Sequence, residues 1–342
     1  MRPVGRHWVM AARPEGPVGP AHFELREAPP AELAEGECEL AAIFLSIDPT
    51  IRLWMSDVDQ PAPPIAPGAP VRSFVYGQVV RSRDPTMPEG ALAWATGCWA
   101  ERLAGRGAQP VGPSLGLPLA AHASVLGLPG LTAWFGLTDV GRPLPGDTVL
   151  VSAGTGAVGA VAGQVARAMG ARTVAVVGTA DRAARAIERL GYAAAVVRDA
   201  ELPRAIRGAC PDGIDVVFEN VAGATLDAAL GALNRGGRVV LCGMIAGYDR
   251  AGGWPANQLR PLLMREGRIE GFLISACRSR FEAGRARLAA LVHQGRLIWD
   301  VDVLHGLEQA PDALMRVLAG RNMGKQLVQL SPDPWSAPEV GA

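Results

Sequence analysis

The sequence predicts a doubly wound α/β domain with a parallel sheet, set into a smaller β-rich domain, and three observations carry that prediction. First, in Val151-Ser-Ala-Gly-Thr-Gly-Ala-Val-Gly159 the glycines Gly154, Gly156 and Gly159 fall at G-x-G-x-x-G spacing. An apolar run, Thr148–Val151, precedes them and a small-residue helical pattern, Ala157 to Met169, follows. Second, from about Gly146 to Ile274 short β-rich runs alternate with helical stretches, the mark of parallel strands joined by crossover helices. Third, the first 115 or so residues are rich in Pro and Gly, poor in helical periodicity and broken by turn signals such as Pro61-Ala-Pro-Pro64 and Pro67-Gly68.

The elements follow in order. Predicted strands are Thr148–Ser152, Arg172–Gly178, Ala193–Val197, Ile214–Phe218, Arg238–Cys242 and Arg268–Ile274. Between the first two, Val158, Val161, Val165 and Met169 recur at helical spacing, and Gly159 and Gly163 leave room for close approach to the sheet. Asp181–Leu190, Leu202–Ala209 and Thr225–Leu233 supply further crossover helices, and Asn257 reads as the N-cap of another. After Arg296 come a strand (Leu297–Leu304), a helix (Leu307–Ala319) and a last strand (Gln326–Leu330), expected to rejoin the first domain. The expected division is 1–118 and 296–331 for the β-rich domain, 119–295 for the nucleotide-binding insert, and 332–342 as a flexible tail. The active site is expected in a cleft between the domains, outside the carboxyl ends of the strands.

The 342 residues, 49% of them hydrophobic, suffice for two domains with a real core. Its 33 basic and 33 acidic residues cancel, leaving no electrostatic footprint for nucleic acid or an anionic membrane. Lys325 is the only lysine. Five scattered cysteines without a C-x-x-C pair argue against a disulfide framework and against a clustered zinc lobe. No signal-peptide pattern opens the chain and no run approaches about 18 apolar residues, so a cytoplasmic protein is expected.

The glycine loop has a chemical logic. The first glycine allows a sharp turn, the second lets backbone approach a pyrophosphate, and the third lets helix pack on strand. The helix N-terminus then offers unpaired N–H groups to phosphate. The bland alternative is a tight structural turn.

Further blocks carry a resemblance. Ser46-Ile-Asp-Pro-Thr-Ile-Arg52, Leu126-Gly-Leu-Pro-Gly-Leu-Thr-Ala-Trp-Phe-Gly136, Cys210-Pro-Asp-Gly-Ile-Asp215, Glu219-Asn-Val-Ala-Gly223, Cys242-Gly-Met-Ile-Ala-Gly-Tyr248 and Asn322-Met-Gly-Lys325 join the glycine loop. In this order they resemble the medium-chain dehydrogenase/reductase superfamily, and within it the zinc-free branch of prostaglandin/leukotriene, alkenal and curcumin reductases. The resemblance implies a GroES-like β domain around a Rossmann domain, usually as a homodimer. It also implies NADPH-dependent reduction of the C=C bond of α,β-unsaturated ketones and aldehydes.

Residue by residue, the resemblance implies cofactor contacts from Gly154, Thr155, Gly156, Ala157, Val158 and Gly159, and from Cys242, Gly243 and Tyr248. Gly178, Thr179 and Arg182 mark the tip of the second strand, where an acidic residue would select NAD. Position 179 is threonine, and Arg182 stands where similar proteins carry a lysine that meets the 2′-phosphate; its alternative is a solvated first-turn residue, and Asp181 is free to turn toward the ribose. Arg198 replaces a cofactor-contacting tyrosine and is left with three readings: stacking on adenine, a second phosphate contact, or solvent. Asn220 and Asn322 match positions on the nicotinamide side, with a capped turn as the alternative.

Reduction of an enone gathers negative charge on the carbonyl oxygen, so a donor must be aimed at it. A zinc ion would need Cys and His ligands. The family's Gly-His-Glu block is absent, and His7, His22, His122, His293 and His305 read as surface or capping residues. Tyr248 is the candidate donor, with cover over the cofactor as its alternative. The family's Asp-Pro-Tyr-Met-Arg block reads Asp48-Pro-Thr-Ile-Arg52 here, which removes an aromatic wall; Trp54, Trp94, Trp99 and Trp254 are candidates to replace it or to pack in the core. Quinone reduction, an enoyl reductase of secondary metabolism and a non-catalytic NADP-binding protein are the rival readings.

Overall fold

The computed structural model describes residues 1–112, 115–249 and 257–336. They form two compact units, Met1–Ala123 with the chain from Val301 onward, and Ser124–Asp300.

In the first unit, β1 (Arg2–Met10), β2 (Phe23–Ala28), β3 (Cys38–Ser46), β4 (Arg72–Ser82), β5 (Leu92–Cys98), β6 (Ala100–Gly105) and β7 (Gln109–Pro110) pair in the order β2-β1-β6-β3-β4-β5-β7. All these pairings are antiparallel. Eight of the nine β3 residues are buried, as a central strand covered on both faces requires. Met10, Leu40, Leu45, Val75, Trp99 and Leu103 lie in its core, and Ala313 and Leu314 of the helix Ala310–Leu318 join them.

The second unit holds β8 (Thr148–Ser152), β9 (Arg172–Val177), β10 (Ala194–Val197), β11 (Ile214–Glu219), β12 (Leu233–Leu241) and β13 (Arg268–Gly271). They form one parallel sheet in the order β10-β9-β8-β11-β12-β13. The reversal of direction around β8 is the doubly wound pattern, with a crevice at the carboxyl ends. All five β8 residues are buried, because crossover helices cover both faces. The chain then returns through β14 (Val301–His305) and β15 (Lys325–Gln329), which pair in parallel, and β15 adds to β3 antiparallel.

Several boundaries differ from expectation. The helix Ala224–Leu230 ends three residues early and β12 begins at Leu233, because a loop carrying Gly236 (φ 71°) shifts the β11–β12 register. β13 stops at Gly271 rather than Ile274, and β14 starts at Val301. Asn257 is not an N-cap: the helix spans Leu259–Met264, and the Asn257 amide donates to Asp227 Oδ2 (3.4 Å). Residues 332–336 are not frayed. Asp333 is buried and accepts from the Ala120 N–H (3.1 Å), and Trp335 packs edge-on against His122; 337–342 lie outside the described residues, as does Trp254. Among the described residues no helix is long and apolar enough to cross a membrane.

Candidate functional site

The glycine loop lies between β8 and the helix Ala157–Ala168. Its left-handed residue is Ala153 (φ 50°), not a glycine. The glycines answer to space instead. A Cβ on Gly154 would come within 2.7 Å of the Ala175 Cβ on β9, and one on Gly159 within 2.2 Å of the Ala153 carbonyl oxygen. The helix starts at Gly156 with no side-chain cap, so Ala157 and Val158 open a helix whose first N–H groups are left for an anion. Thr155 is buried within the turn.

Tyr192 was not singled out from the sequence, yet it holds this loop. The buried hydroxyl donates to the Gly159 carbonyl (2.7 Å), with the Gly154 carbonyl at 3.2 Å. Gly163 has no side chain because the Tyr192 ring passes 2.1 Å from where its Cβ would sit. That glycine makes room for a tyrosine rather than for the sheet. Burial pushes the Tyr192 hydroxyl's pKa well above its ordinary value, which keeps it a donor.

At the tip of β9, Gly178 is open and Thr179 caps the helix Ala180–Glu188 by accepting from the Arg182 N–H (3.4 Å). The half-buried Arg182 side chain turns back to the glycine loop, its Nη1 donating to Thr155 Oγ1 (3.3 Å). Two separate sequence signals thus meet in space. Asp181 and Arg198 are exposed, and the Arg198 N–H pairs with the Val177 carbonyl (2.8 Å).

At the ends of β8, β11 and β12 lies a second cluster. Ser152 Oγ donates to Glu219 Oε1 (2.6 Å), and that oxygen also accepts from the N–H groups of Val221 (2.6 Å) and Ala222 (2.8 Å). Asn220 is clamped to Ser152 by its N–H and its amide, both at 2.7 Å. The Cys242 and Gly243 N–H groups donate to the Glu219 carbonyl (2.9 and 3.0 Å), and Ile245 N–H to that of Asn220 (3.2 Å). The loops after β11 and β12 are therefore zipped together. Tyr248 follows a short turn, Ile245–Gly247, and its hydroxyl lies 3.7 Å from the place of a Gly243 Cβ.

Burial raises the pKa of each titratable group in this cluster. Glu219 is fully buried, and burial raises its carboxyl pKa against the opposing hydrogen bonds; Oε2 has no partner. Burial, with Glu219 adding, pushes the Cys242 thiol up to about 12, which makes it a poor nucleophile. Burial also raises Tyr248, opposed by a backbone hydrogen bond with Met244, so its hydroxyl stays protonated at neutral pH. The signal for Glu219 was there to read: an acid directly after the apolar run Val216–Phe218.

The remaining candidates are elsewhere. Asn322 lies in the first unit, its amide donating to the Gly324 carbonyl (2.9 Å). Trp99 is a core residue, fully buried against Phe23, whereas Trp54 and Trp94 belong to an aromatic row through Phe74. His7 and His122 are buried, contrary to the surface reading, while His293 and His305 are exposed. Among the described residues no three His, Cys, Asp or Glu side chains group closely enough to hold a metal.

A doubly wound parallel sheet with a glycine turn, an uncapped helix start and an arginine leaning on that turn defines the class: a Rossmann-type dinucleotide fold joined to an antiparallel β unit. Residues 6–111 match the family model described as the N-terminal domain of oxidoreductase, and 157–290 that of zinc-binding dehydrogenase. The chain is 33% identical to the NADPH-dependent curcumin reductase of Escherichia coli, over 96% of this chain and 97% of the relative. It is 33% identical to the NADP(+)-dependent 2-alkenal reductase of Nicotiana tabacum, over 84% and 86%. The solved structure of CurA in complex with NADPH from Vibrio vulnificus superposes with a TM-score of 0.90 at 31% identity, covering 96% of this chain and all of that one. This chain belongs to the medium-chain dehydrogenase/reductase family, in the branch of the curcumin, alkenal and prostaglandin reductases.

Proposed function

We propose that this protein reduces the C=C bond of α,β-unsaturated ketones and aldehydes with NADPH. The observation that carries the reading is the protonated Tyr248 hydroxyl, set in a loop fastened to Asn220 at the carboxyl ends of the parallel strands. The names of the curcumin and 2-alkenal reductase relatives support the same substrate class.

The residues fit the cofactor. Gly154, Gly156 and Gly159 leave the backbone bare for a pyrophosphate, and the N-terminus of the helix Ala157–Ala168 supplies N–H groups and a partial positive charge. Arg182, a planar fork beside Thr155, would hold the 2′-phosphate that distinguishes NADPH from NADH. Asn220 would hold the nicotinamide side. Bound NADPH would supply the hydride for the substrate's β-carbon, and a proton from a general acid or solvent would complete the bond at the α-carbon. Tyr248 donates a hydrogen bond to the carbonyl oxygen, where negative charge gathers, and the chain needs no metal for that step. The network of Glu219 and Ser152 positions Asn220 and the loop that carries Tyr248.

The test follows loss of reduced-nicotinamide absorbance with a panel of enals, enones, ring enones and quinones. Oxidation of NADPH with enones but not quinones is expected; turnover of quinones alone would transfer the reading to a quinone oxidoreductase, and binding without turnover would end it. Tyr248→Phe should lower turnover by about 10²–10⁴. A change of only a few-fold would leave Tyr248 as cover over the cofactor.

A further inference from the structure

One short stretch of the parallel unit grips the glycine turn twice. The helix Ala180–Glu188 sends Arg182 to Thr155 Oγ1 (3.3 Å) from its first turn. Where the chain leaves that helix, Gly191 is left-handed (φ 71°) and the Tyr192 N–H donates to the Ala186 carbonyl (3.0 Å). The Tyr192 ring then lies against Gly163 of the helix Ala157–Ala168. Its buried hydroxyl shares a proton between the carbonyls of Gly159 (2.7 Å) and Gly154 (3.2 Å), and also has a hydrogen bond with the Gly163 backbone. Every residue in this grip belongs to Ser124–Asp300. Arg182 has its part in the 2′-phosphate reading, whereas the Tyr192 hydroxyl has as yet no part in binding.

Peptide planarity gives it one. A trans peptide points its C=O and the following N–H in opposite directions. A Gly154 carbonyl drawn toward a buried hydroxyl therefore turns the Thr155 N–H away from Tyr192. N–H groups attract a phosphate and carbonyl oxygens repel it, so the setting of this one plane decides which of them a ligand meets. The turn also needs outside support. Ala153 stands at φ 50° without being a glycine, and such backbone persists only where its surroundings hold it. The N–H groups of Gly154 and Gly156 are tied to the carbonyls of Val176 (3.2 Å) and Ala153 (2.9 Å). Tyr192 ties the carbonyl side.

We infer that Tyr192 is a positioning residue for the pyrophosphate of the dinucleotide, its hydroxyl holding the Gly154–Thr155 peptide so that the N–H faces the ligand. This inference rests on the NADPH reading and deepens it. Tyr192→Phe removes the hydroxyl and keeps the ring that fills the space beside Gly163. Both NADPH and NADH carry the pyrophosphate, so the variant should bind each about three- to tenfold more weakly, by the same factor, as the loss of one hydrogen bond implies. 2′-AMP has the adenine, the ribose and the 2′-phosphate but no pyrophosphate, and should bind variant and wild type alike. Calorimetric titration well below either protein's Tm keeps a change in stability out of the comparison. In turnover with an enone, the KM for NADPH should rise by the same factor while kcat at saturating NADPH holds.

Equal weakening of 2′-AMP would mean a general loosening of the unit and would overturn the inference. Unchanged binding of NADPH and NADH would overturn it too, as would a fall in kcat with affinity intact. The two readings fail separately. A wild-type protein that binds NADPH and reduces no enone ends the reductase reading, while the titrations still decide on Tyr192. A wild-type protein that binds none of the three ligands ends both.

Discussion

Lys325, at the start of β15, and Arg72, at the start of β4, are both cations held inside the antiparallel unit, yet only Lys325 has an anionic partner. The Lys325 ammonium donates to Asp48 Oδ1 and to the Ile47 carbonyl (2.7 Å), while Ser46 Oγ fastens the other Asp48 oxygen (2.6 Å). That pair staples β15 to the segment after β3. Arg72 has a ring beneath it and an orphaned nitrogen. The Lys325 pair ties two segments together, and the Arg72 side chain makes no such tie. The parallel unit repeats the contrast with opposite sign: Glu219 Oε1 takes three donors and Oε2 none.

The sharpest way to break this comparison is to remove the satisfied member. Lys325→Met should destabilise the fold by about 3–5 kcal/mol, because Asp48 would be left without its partner. Chemical denaturation measures it. A loss under about 1 kcal/mol would mean that the pair is no staple, and the contrast with Arg72 would collapse.

Arg182, a cation bonded to Thr155 of the loop proposed for phosphate, offers a second test. Arg182→Ala should weaken NADPH binding by about 1.5–3 kcal/mol, the worth of a charge-assisted hydrogen bond, and spare NADH. Equal loss for both cofactors in a titration would remove the 2′-phosphate role.

The smallest effect concerns Glu219. Its carboxyl pKa is raised in the folded state above the ordinary 4.5, so the folded form binds a proton more tightly than the unfolded chain does. The stability it contributes is fully present below about pH 4.5 and is lost as pH rises through the folded-state value. Glu219→Gln keeps an oxygen for the three donors and cannot ionise. Its Tm relative to wild type should therefore climb as pH increases above that point. A difference independent of pH would mean that Glu219 titrates normally.

Much of the parallel unit was legible because its signals are local. The β8 run of apolar residues, the glycine spacing and the helical pattern from Ala157 lie within about twenty residues of one another, and the structure puts β8 at Thr148–Ser152 as read. Limits set by tertiary pairing were missed. The start of β12 at Leu233 depends on register with β11, and the false N-cap at Asn257 depends on where the next helix docks. The loss of the tyrosine in the Asp48 block and the candidates Trp54 and Trp94 were visible, but their meeting through Phe74 was not, because the three rings come from three elements.

By itself the sequence determined the doubly wound sheet, the glycine turn and the family's ordered blocks, since each is a pattern of neighbouring residues whose backbone and side-chain periodicity act locally. Only the tertiary structure decided which polar groups are satisfied. Ser152 meets Glu219 across 67 residues and Lys325 meets Asp48 across 277. Tyr192 reaches back 33 residues to hold the Gly159 carbonyl. Whether a buried charge such as Arg72 finds a partner is a property of packing, because it depends on everything the fold brings within about 4 Å and on nothing adjacent in the chain.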